Sequence, residues 1–172
     1  SGKESLKRIF EELLQDTYNA EKQIVKALPE LAKAAYHEDL QDAFENHLQQ
    51  TKRQVERLEK IFDRLKIEKG TETCEALEGL VKEAKEIIDE HEKSVVRDVA
   101  LIIAAQKVEH YEIAAYGSLV ELADVLGLDK TADILERTLQ EEKETDELLS
   151  NVAQCVNDEA YEESPAELEY KS

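Results

Sequence analysis

Residues 106–117 read Gln-Lys-Val-Glu-His-Tyr-Glu-Ile-Ala-Ala-Tyr-Gly, and the fold can be worked out from where this stretch lies. It belongs to a longer segment, 95–123, in which apolar residues recur at the spacing of a buried helix. At about 100° per residue, Glu109 and Glu112 fall on the apolar side of that helix. An unpaired carboxylate in a core is costly, so proteins protonate it, pair it or bind it to a metal ion. The rest of the chain is therefore expected to supply partners for these two acids.

The composition indicates one mostly helical domain with an acidic surface. The chain has 172 residues with only 5 Gly and 2 Pro, and it contains neither Trp nor Met. Its net charge of -19 disfavours nucleic acids and anionic membranes as partners and favours cations, although an acidic surface also keeps a protein soluble. No segment has the length of a membrane span or the pattern of a signal peptide, so we expect a cytoplasmic protein. Cys74 and Cys155 belong to no metal-binding or disulfide motif and are expected to be free thiols.

Helical periodicity predicts an all-α chain of four long helices and one short one. The predicted helices span residues 3–35, 40–66, 74–91, 93–126 and 130–157. Pro29 predicts a kink or a break in the first helix, and Asp129 is the predicted N-cap of the last. The short helix can carry the chain back along a bundle, so that the second and third long helices run parallel. Residues 1–157 then form one domain, followed by an acidic, disordered tail at 158–172.

Each of the other long helices also places polar side chains on its apolar face. Glu21 lies in the middle of the first apolar stripe, His47 in the middle of the second, and Glu142 in the middle of the last. Gln50 and Asp146 lie at the margins of the inner faces and are further candidates for the same cluster. The sequence therefore predicts a polar layer at mid-height in the core.

An internal repeat relates the two halves of the chain. With an offset of 91 residues, segment 28–58 matches segment 119–149 at several apolar and acidic positions, and Glu21 falls on Glu112. The chain is therefore predicted to consist of two helical hairpins of one design joined by a crossover. Such hairpins would present Glu21 and Glu112 to each other across a shared core, with the other inward acids and His47 nearby. Four carboxylates and one imidazole suit Fe or Mn, and Zn can occupy the same kind of site.

The same residues have simpler interpretations. Buried glutamates can form a hydrogen-bonded cluster that fixes helix register without a metal ion. An inward histidine such as His47 can be satisfied by a neighbouring carboxylate. His110 lies about 100° around the helix from Glu109, so it is expected to pack or to support the site rather than to bind metal. Tyr18 could donate a hydrogen bond to a ligand, but core packing is its simpler role.

Three stretches of the chain carry a resemblance to a known family. They are Asp16–Gln23 (DTYNAEKQ), Gln106–Gly117 (QKVEHYEIAAYG) and Thr138–Asp146 (TLQEEKETD). These stretches resemble the YciF-type family of the ferritin-like superfamily, and the resemblance extends over residues 5–156. It implies a ferritin-like four-helix bundle with up-down-down-up topology and an extra short crossover helix. It also implies a dinuclear metal centre, a homodimer and a link to bacterial stress responses.

The predicted metal site leaves two functions open. Its ligands are predicted to be Glu21, His47, Glu109, Glu112, Glu142 and Asp146, holding two Fe or Mn ions, with Zn able to replace them in a crystal. The wider superfamily uses an inward Glu-x-x-His on two helices, but here Glu142 is followed by Thr145, and Thr51 by Gln54. One hypothesis is an oxidase or peroxidase-like enzyme with two Fe or Mn ions that handles oxygen or peroxide, although the missing Glu-x-x-His motifs argue against catalysis more than against metal binding. The other is a noncatalytic bundle that binds metal or a protein partner.

Overall fold

The computed structural model describes residues 1–163, 168 and 170, and its regular secondary structure is helical throughout this part of the chain. The five helices are α1 (Gly2–Ala34), α2 (Glu38–Leu65), α3 (Glu75–Glu90), α4 (Val95–Val125) and α5 (Asp129–Glu162). The all-α prediction is confirmed, and α1 continues through Pro29 without a break. No helix among the described residues combines the length and the apolarity needed to cross a bilayer.

Helix α5 differs from the prediction at both ends. Leu128 occupies the N-cap position and Asp129 is the first helical residue, so the predicted Asp129 cap is wrong. At the other end the helix continues to Glu162, because Val152, Val156 and Ala160 extend one apolar stripe that packs against the core. The first residues of the predicted disordered tail are therefore helical, whereas 164–167, 169 and 171–172 lie outside the described residues.

The four long helices contact one another in a ring. Helix α1 packs against α2 and α4, α5 packs against the same two helices, and the short α3 lies against α1 and α4. One apolar cluster joins the beginnings of α1 and α5 to the ends of α2 and α4; it includes Phe10, Leu14, Phe62, Tyr116 and Leu135. A second cluster joins the opposite ends of the same helices and includes Leu28, Phe44, Leu101, Leu149 and Val156. Helices α1 and α5 therefore run in one direction, and α2 and α4 in the other.

Two buried charged residues at the beginning of α4 hold the helix connections together. Asp98 accepts hydrogen bonds from the backbone N–H groups of Tyr36 (2.9 Å) and His37 (2.7 Å), just before α2. The Arg97 guanidinium donates to the backbone carbonyls of Ala34, at the end of α1, and His91 (3.0 Å), after α3. Adjacent residues of α4 thus satisfy backbone groups at three helix ends.

We expect Asp98→Ala to destabilise the protein by about 3 kcal/mol, or roughly 6–12 °C in Tm, because two backbone donors would lose their charged acceptor. Thermal and urea denaturation of the purified variant measure this loss. Asp124→Ala is the matched control, since it removes an exposed carboxylate from the same helix. Equal melting temperatures for the two variants would contradict the role assigned to Asp98.

Candidate metal centre

A layer of polar side chains separates the two apolar clusters, and every long helix contributes to it. Each member lies near the middle of its helix and has at most 6% of its surface exposed: Glu21, His47, Thr51, Gln54, Glu109, Glu112, Thr138 and Glu142. The burial predicted for the four glutamates and the histidine is therefore confirmed. Their role as metal ligands stays a prediction.

Three residues of this layer lie close enough together to hold a metal ion. The Nε2 atom of His47 lies 2.7 Å from Oε1 of Glu109 and 3.9 Å from Oε2 of Glu142. The three residues can each offer one ligand atom within 4.8 Å of the other two. Although the contact with Glu109 is short, it lacks the alignment of a hydrogen bond, and Nε2 has no hydrogen-bond partner. An unprotonated Nε2 would therefore be free to bind a cation.

The other ring nitrogen of His47 is held from outside the layer. Its Nδ1 atom lies 3.4 Å from Oε1 of Gln50, which also accepts a hydrogen bond from the Thr145 hydroxyl (3.2 Å). With its proton on Nδ1, the imidazole directs an unprotonated Nε2 towards the glutamates. This is the arrangement in which metal-binding histidines are usually supported. Gln50, a sequence-based candidate for the cluster, thus contacts the histidine rather than the acids.

Glu21 and Glu112 form the second part of the layer, as the repeat predicted. Their carboxyl groups are near enough that, after burial, repulsion from Glu21 is the largest cause that raises the pKa of Glu112. The Tyr116 hydroxyl donates to Oε2 of Glu21 at 3.0 Å. The sequence signal for this contact is that Tyr116 lies one helical turn after Glu112. Tyr18, considered for this role, donates instead to Glu59 (3.1 Å).

Most of the glutamate oxygens in this layer have no partner. Six are buried and accept no hydrogen bond from a backbone N–H or a hydroxyl group: Oε1 of Glu21, Oε2 of Glu109, and both oxygens of Glu112 and of Glu142. Within residues 1–163, no lysine or arginine forms an ion pair with these four acids. Buried carboxylates with free lone pairs and no protein cation are a good fit for bound metal ions.

Burial and mutual repulsion raise the pKa values of all four acids. Loss of solvent raises the pKa of Glu21 to about 7, and repulsion from Glu142 adds to that effect. The pKa of Glu109 also rises to about 7, again mainly through burial. For Glu112 and Glu142, burial followed by repulsion from neighbouring glutamates raises the pKa well above its usual range. Without a cation, the layer therefore holds protons at neutral pH.

Asp146 occupies the rim of the layer and has other partners. Its Oδ2 atom lies 3.1 Å from Nε2 of His110, whose side chain is 69% exposed, and its Oδ1 accepts from Gln106 (3.3 Å). The structure thus brings together five of the six predicted ligands. The sixth, Asp146, lies beside His110, which its helical position had excluded from the predicted site.

A small cavity adjoins His47 and Glu109. It has a volume of about 30 Å³, and its lining is otherwise almost entirely apolar, with Ile24, Leu28, Phe44 and Leu149 among the contributing residues. This volume suits one small molecule. The cavity offers an apolar space beside the histidine and one of the glutamates.

Comparison with known proteins supplies relatives for the whole fold. A family model described as a domain of unknown function, DUF892, matches residues 5–161. The protein YciF of Escherichia coli K12 is 49% identical over 152 residues, which cover 87% of this chain and 90% of that protein.

Two solved structures are also similar to this one. The crystal structure of the Escherichia coli stress protein YciF matches with a TM-score of 0.86 at 47% identity, covering 89% of this chain and 97% of that one. The structure of YcfI from Rhodopseudomonas palustris matches with a TM-score of 0.81 at 39% identity, covering 84% and 92%. The description of YcfI proposes a structural role for that protein.

Proposed function

Because the chain belongs to the DUF892 family and is similar to the stress protein YciF, we propose that it is a stress-associated protein with a dinuclear Fe or Mn site. The site would lie in the core of a ferritin-like four-helix bundle. The ring of contacts among the four long helices and their directions support this architecture. The resemblance to YciF-type proteins noted from the sequence is confirmed by these relatives.

The observation that carries this proposal is the set of six partnerless oxygens on four buried glutamates, with one imidazole nitrogen beside them. A protein that only needed a polar layer for helix register would be expected to satisfy these oxygens with donors, as buried polar groups usually are. Two cations would neutralise the acids, and carboxylates are able to bridge two metal ions. Glu109, Glu142 and His47 would hold one ion, and Glu21 and Glu112 would complete the site.

Bound Fe or Mn would supply redox chemistry towards oxygen or peroxide. The protein's own contribution would be to orient the ligands and to limit the entry of water. Tyr116 holds Glu21, and Gln50 holds the His47 ring. The apolar cavity of about 30 Å³ beside His47 offers a place where a small oxidant could reach the layer.

Aerobic addition of Fe(II) to metal-free protein tests this function. We expect ferric absorbance in the near-ultraviolet to grow until about two irons are bound per chain, with oxygen consumed faster than in buffer. Protein loaded first with Zn²⁺ is the control, because Zn²⁺ fills the same ligands and has no redox chemistry. No spectral change, together with no metal in protein expressed in rich medium, would refute the proposal.

A noncatalytic role is the second candidate, and one specific feature favours it. Helix α2 offers Thr51 at the position that the repeat matches to Glu142, and neither residue begins an inward Glu-x-x-His. The site therefore has fewer histidines than its superfamily commonly uses. The structural role proposed for YcfI agrees with such a bundle. Tight iron binding without accelerated oxygen consumption would identify this function.

A further inference from the structure

A second group of metal-ligating side chains lies at the surface, where α5 passes the beginning of α2. His37 is the N-cap residue of α2, and Cys155 and Glu159 lie one turn apart on α5. The Cys155 thiol lies 3.3 Å from Oε1 of Glu159 and 4.0 Å from Nε2 of His37. The remaining distance, from Nε2 of His37 to Oε1 of Glu159, is 3.4 Å. Three different kinds of ligand atom thus surround one point.

These distances agree with tetrahedral zinc. With metal–ligand bonds of about 2.3 Å to sulfur and about 2.0–2.2 Å to nitrogen and oxygen, the ligand atoms of a tetrahedral site lie roughly 3.4–3.6 Å apart. The observed separations of 3.3, 3.4 and 4.0 Å need only small side-chain rotations to match. A thiolate, an imidazole and a carboxylate form a ligand set that suits Zn²⁺ well.

Two acidic residues contact His37 and would support its ring if Nε2 bound a cation. Asp98 accepts from the His37 backbone N–H at 2.7 Å and so fixes the residue at the end of the helix. The Oδ2 atom of Asp39 lies 3.9 Å from Nδ1 on the side of the ring away from Cys155. Nδ1 now accepts a hydrogen bond from the Asp39 backbone N–H, so binding metal through Nε2 would move the ring proton to Nδ1. The Asp39 carboxylate, 3.9 Å from Nδ1, would then accept a hydrogen bond from the Nδ1–H after a small side-chain rotation, which replaces the hydrogen bond that Nδ1 now accepts from the Asp39 N–H.

The local charge is negative and, within residues 1–163, is not balanced by lysine or arginine. Asp39, Asp158 and Glu159 all act electrostatically on the Cys155 thiol. Within residues 1–163, none of these three carboxylates forms an ion pair with lysine or arginine. A divalent cation would replace the proton on the thiol and relieve the repulsion among the carboxylates.

We propose that His37, Cys155 and Glu159 form a surface site for one Zn²⁺ ion, with water in the fourth position. Binding joins the last turns of α5 to the beginning of α2 and releases the thiol proton to solvent. The site is separate from the polar layer, which contains no sulfur ligand among its buried members. It therefore does not depend on the function proposed for the core.

Co²⁺ is the probe that distinguishes this site from the core. Addition of Co²⁺ to the full chain under a phosphine reductant is expected to give a thiolate-to-cobalt charge-transfer band, which the polar layer cannot produce because it contains no cysteine. Cys155→Ser and His37→Gln should each lose at least about 90% of the band. The control His91→Gln, which changes an exposed histidine outside the group, should retain it. Glu21→Ala/Glu112→Ala should retain it as well, even if its core binds no metal.

Alkylation of Cys155 by iodoacetamide gives an independent measurement. A stoichiometric excess of Zn²⁺ is expected to slow the reaction at least about tenfold in the wild type and in His91→Gln, but not in His37→Gln. Cys74 should contribute little signal, because only 1% of it is exposed. Circular dichroism checks that each variant is folded, and Glu159→Gln replaces His37→Gln if the latter is not. The proposal is overturned if Zn²⁺ leaves the alkylation rate of the wild type unchanged, or if no sulfur band appears.

Discussion

Replacing Glu21 and Glu112 together by alanine is expected to leave the purified protein almost free of core metal. Loss of an outer partner of a metal ligand commonly weakens binding about 10–100-fold, so loss of two ligands should weaken it by more than about 100-fold. These two acids contribute three of the six partnerless oxygens in the layer. Elemental analysis after expression in rich medium, followed by Fe(II) and Mn(II) titration of metal-free protein, measures the change.

A matched double variant separates a ligand effect from a charge effect. Glu45→Ala/Glu121→Ala also removes two negative charges, but from exposed positions on α2 and α4. We expect this control to bind Fe(II) with the same stoichiometry as the wild type. The isosteric pair Glu21→Gln/Glu112→Gln preserves the packing if the alanine variant does not fold. Unchanged core metal content in the folded double variants would show that the site has been placed wrongly.

The positions of the buried acids could be predicted from the sequence because they depend only on helical phase. Glu109 and Glu112 interrupt an apolar stripe in a segment without proline, so the phase is unambiguous. The repeat then paired Glu112 with Glu21, since equivalent positions in two similar hairpins meet near the axis that relates them. In contrast, the contact of His47 with Glu109 joins α2 to α4, which the repeat does not relate to each other. That contact depends on how far α2 is shifted along α4, which the sequence does not give.

Residues at the margins of a helix face could not be placed from the sequence. Asp146 was predicted to be a ligand, but a small rotation of α5 about its axis decides whether such a side chain points inwards or, as observed, towards His110. The burial of Asp98 and Arg97 could not be predicted from the sequence, because charged residues near the beginning of a helix usually lie in solvent. The surface group of His37, Cys155 and Glu159 joins residues separated by 118 positions, and only the tertiary structure brings them together.

The metal-free protein is expected to lose stability as the pH rises from 5.5 to 8. Burial raises the folded-state pKa of Glu21 from 4.5 to about 7, and that of Glu109 likewise. Above the unfolded-state pKa, the folded protein therefore binds more protons than the unfolded chain. The stabilisation is fully present below about pH 4.5 and is lost as the pH rises through about 7. A shift of one pKa unit corresponds to about 1.36 kcal/mol. Two such groups therefore lower the free energy of unfolding by at least about 2 kcal/mol over this pH range, which lowers Tm by roughly 4–8 °C.

The slope of Tm against pH, compared between variants, measures the contribution of the polar layer better than Tm itself does. The net charge of -19 also favours unfolding at high pH through general repulsion, so the wild type alone cannot assign the effect. Glu21→Gln/Glu112→Gln removes two titrating groups from the layer and should flatten the dependence by about half. Glu45→Gln/Glu121→Gln removes the same charge from the surface and should retain the wild-type slope. Saturating Mn²⁺ should raise Tm more at pH 8 than at pH 5.5, because the cation binds to the ionised acids. If Tm changed with pH equally in both double variants, the buried glutamates would not have the raised pKa values assigned to them.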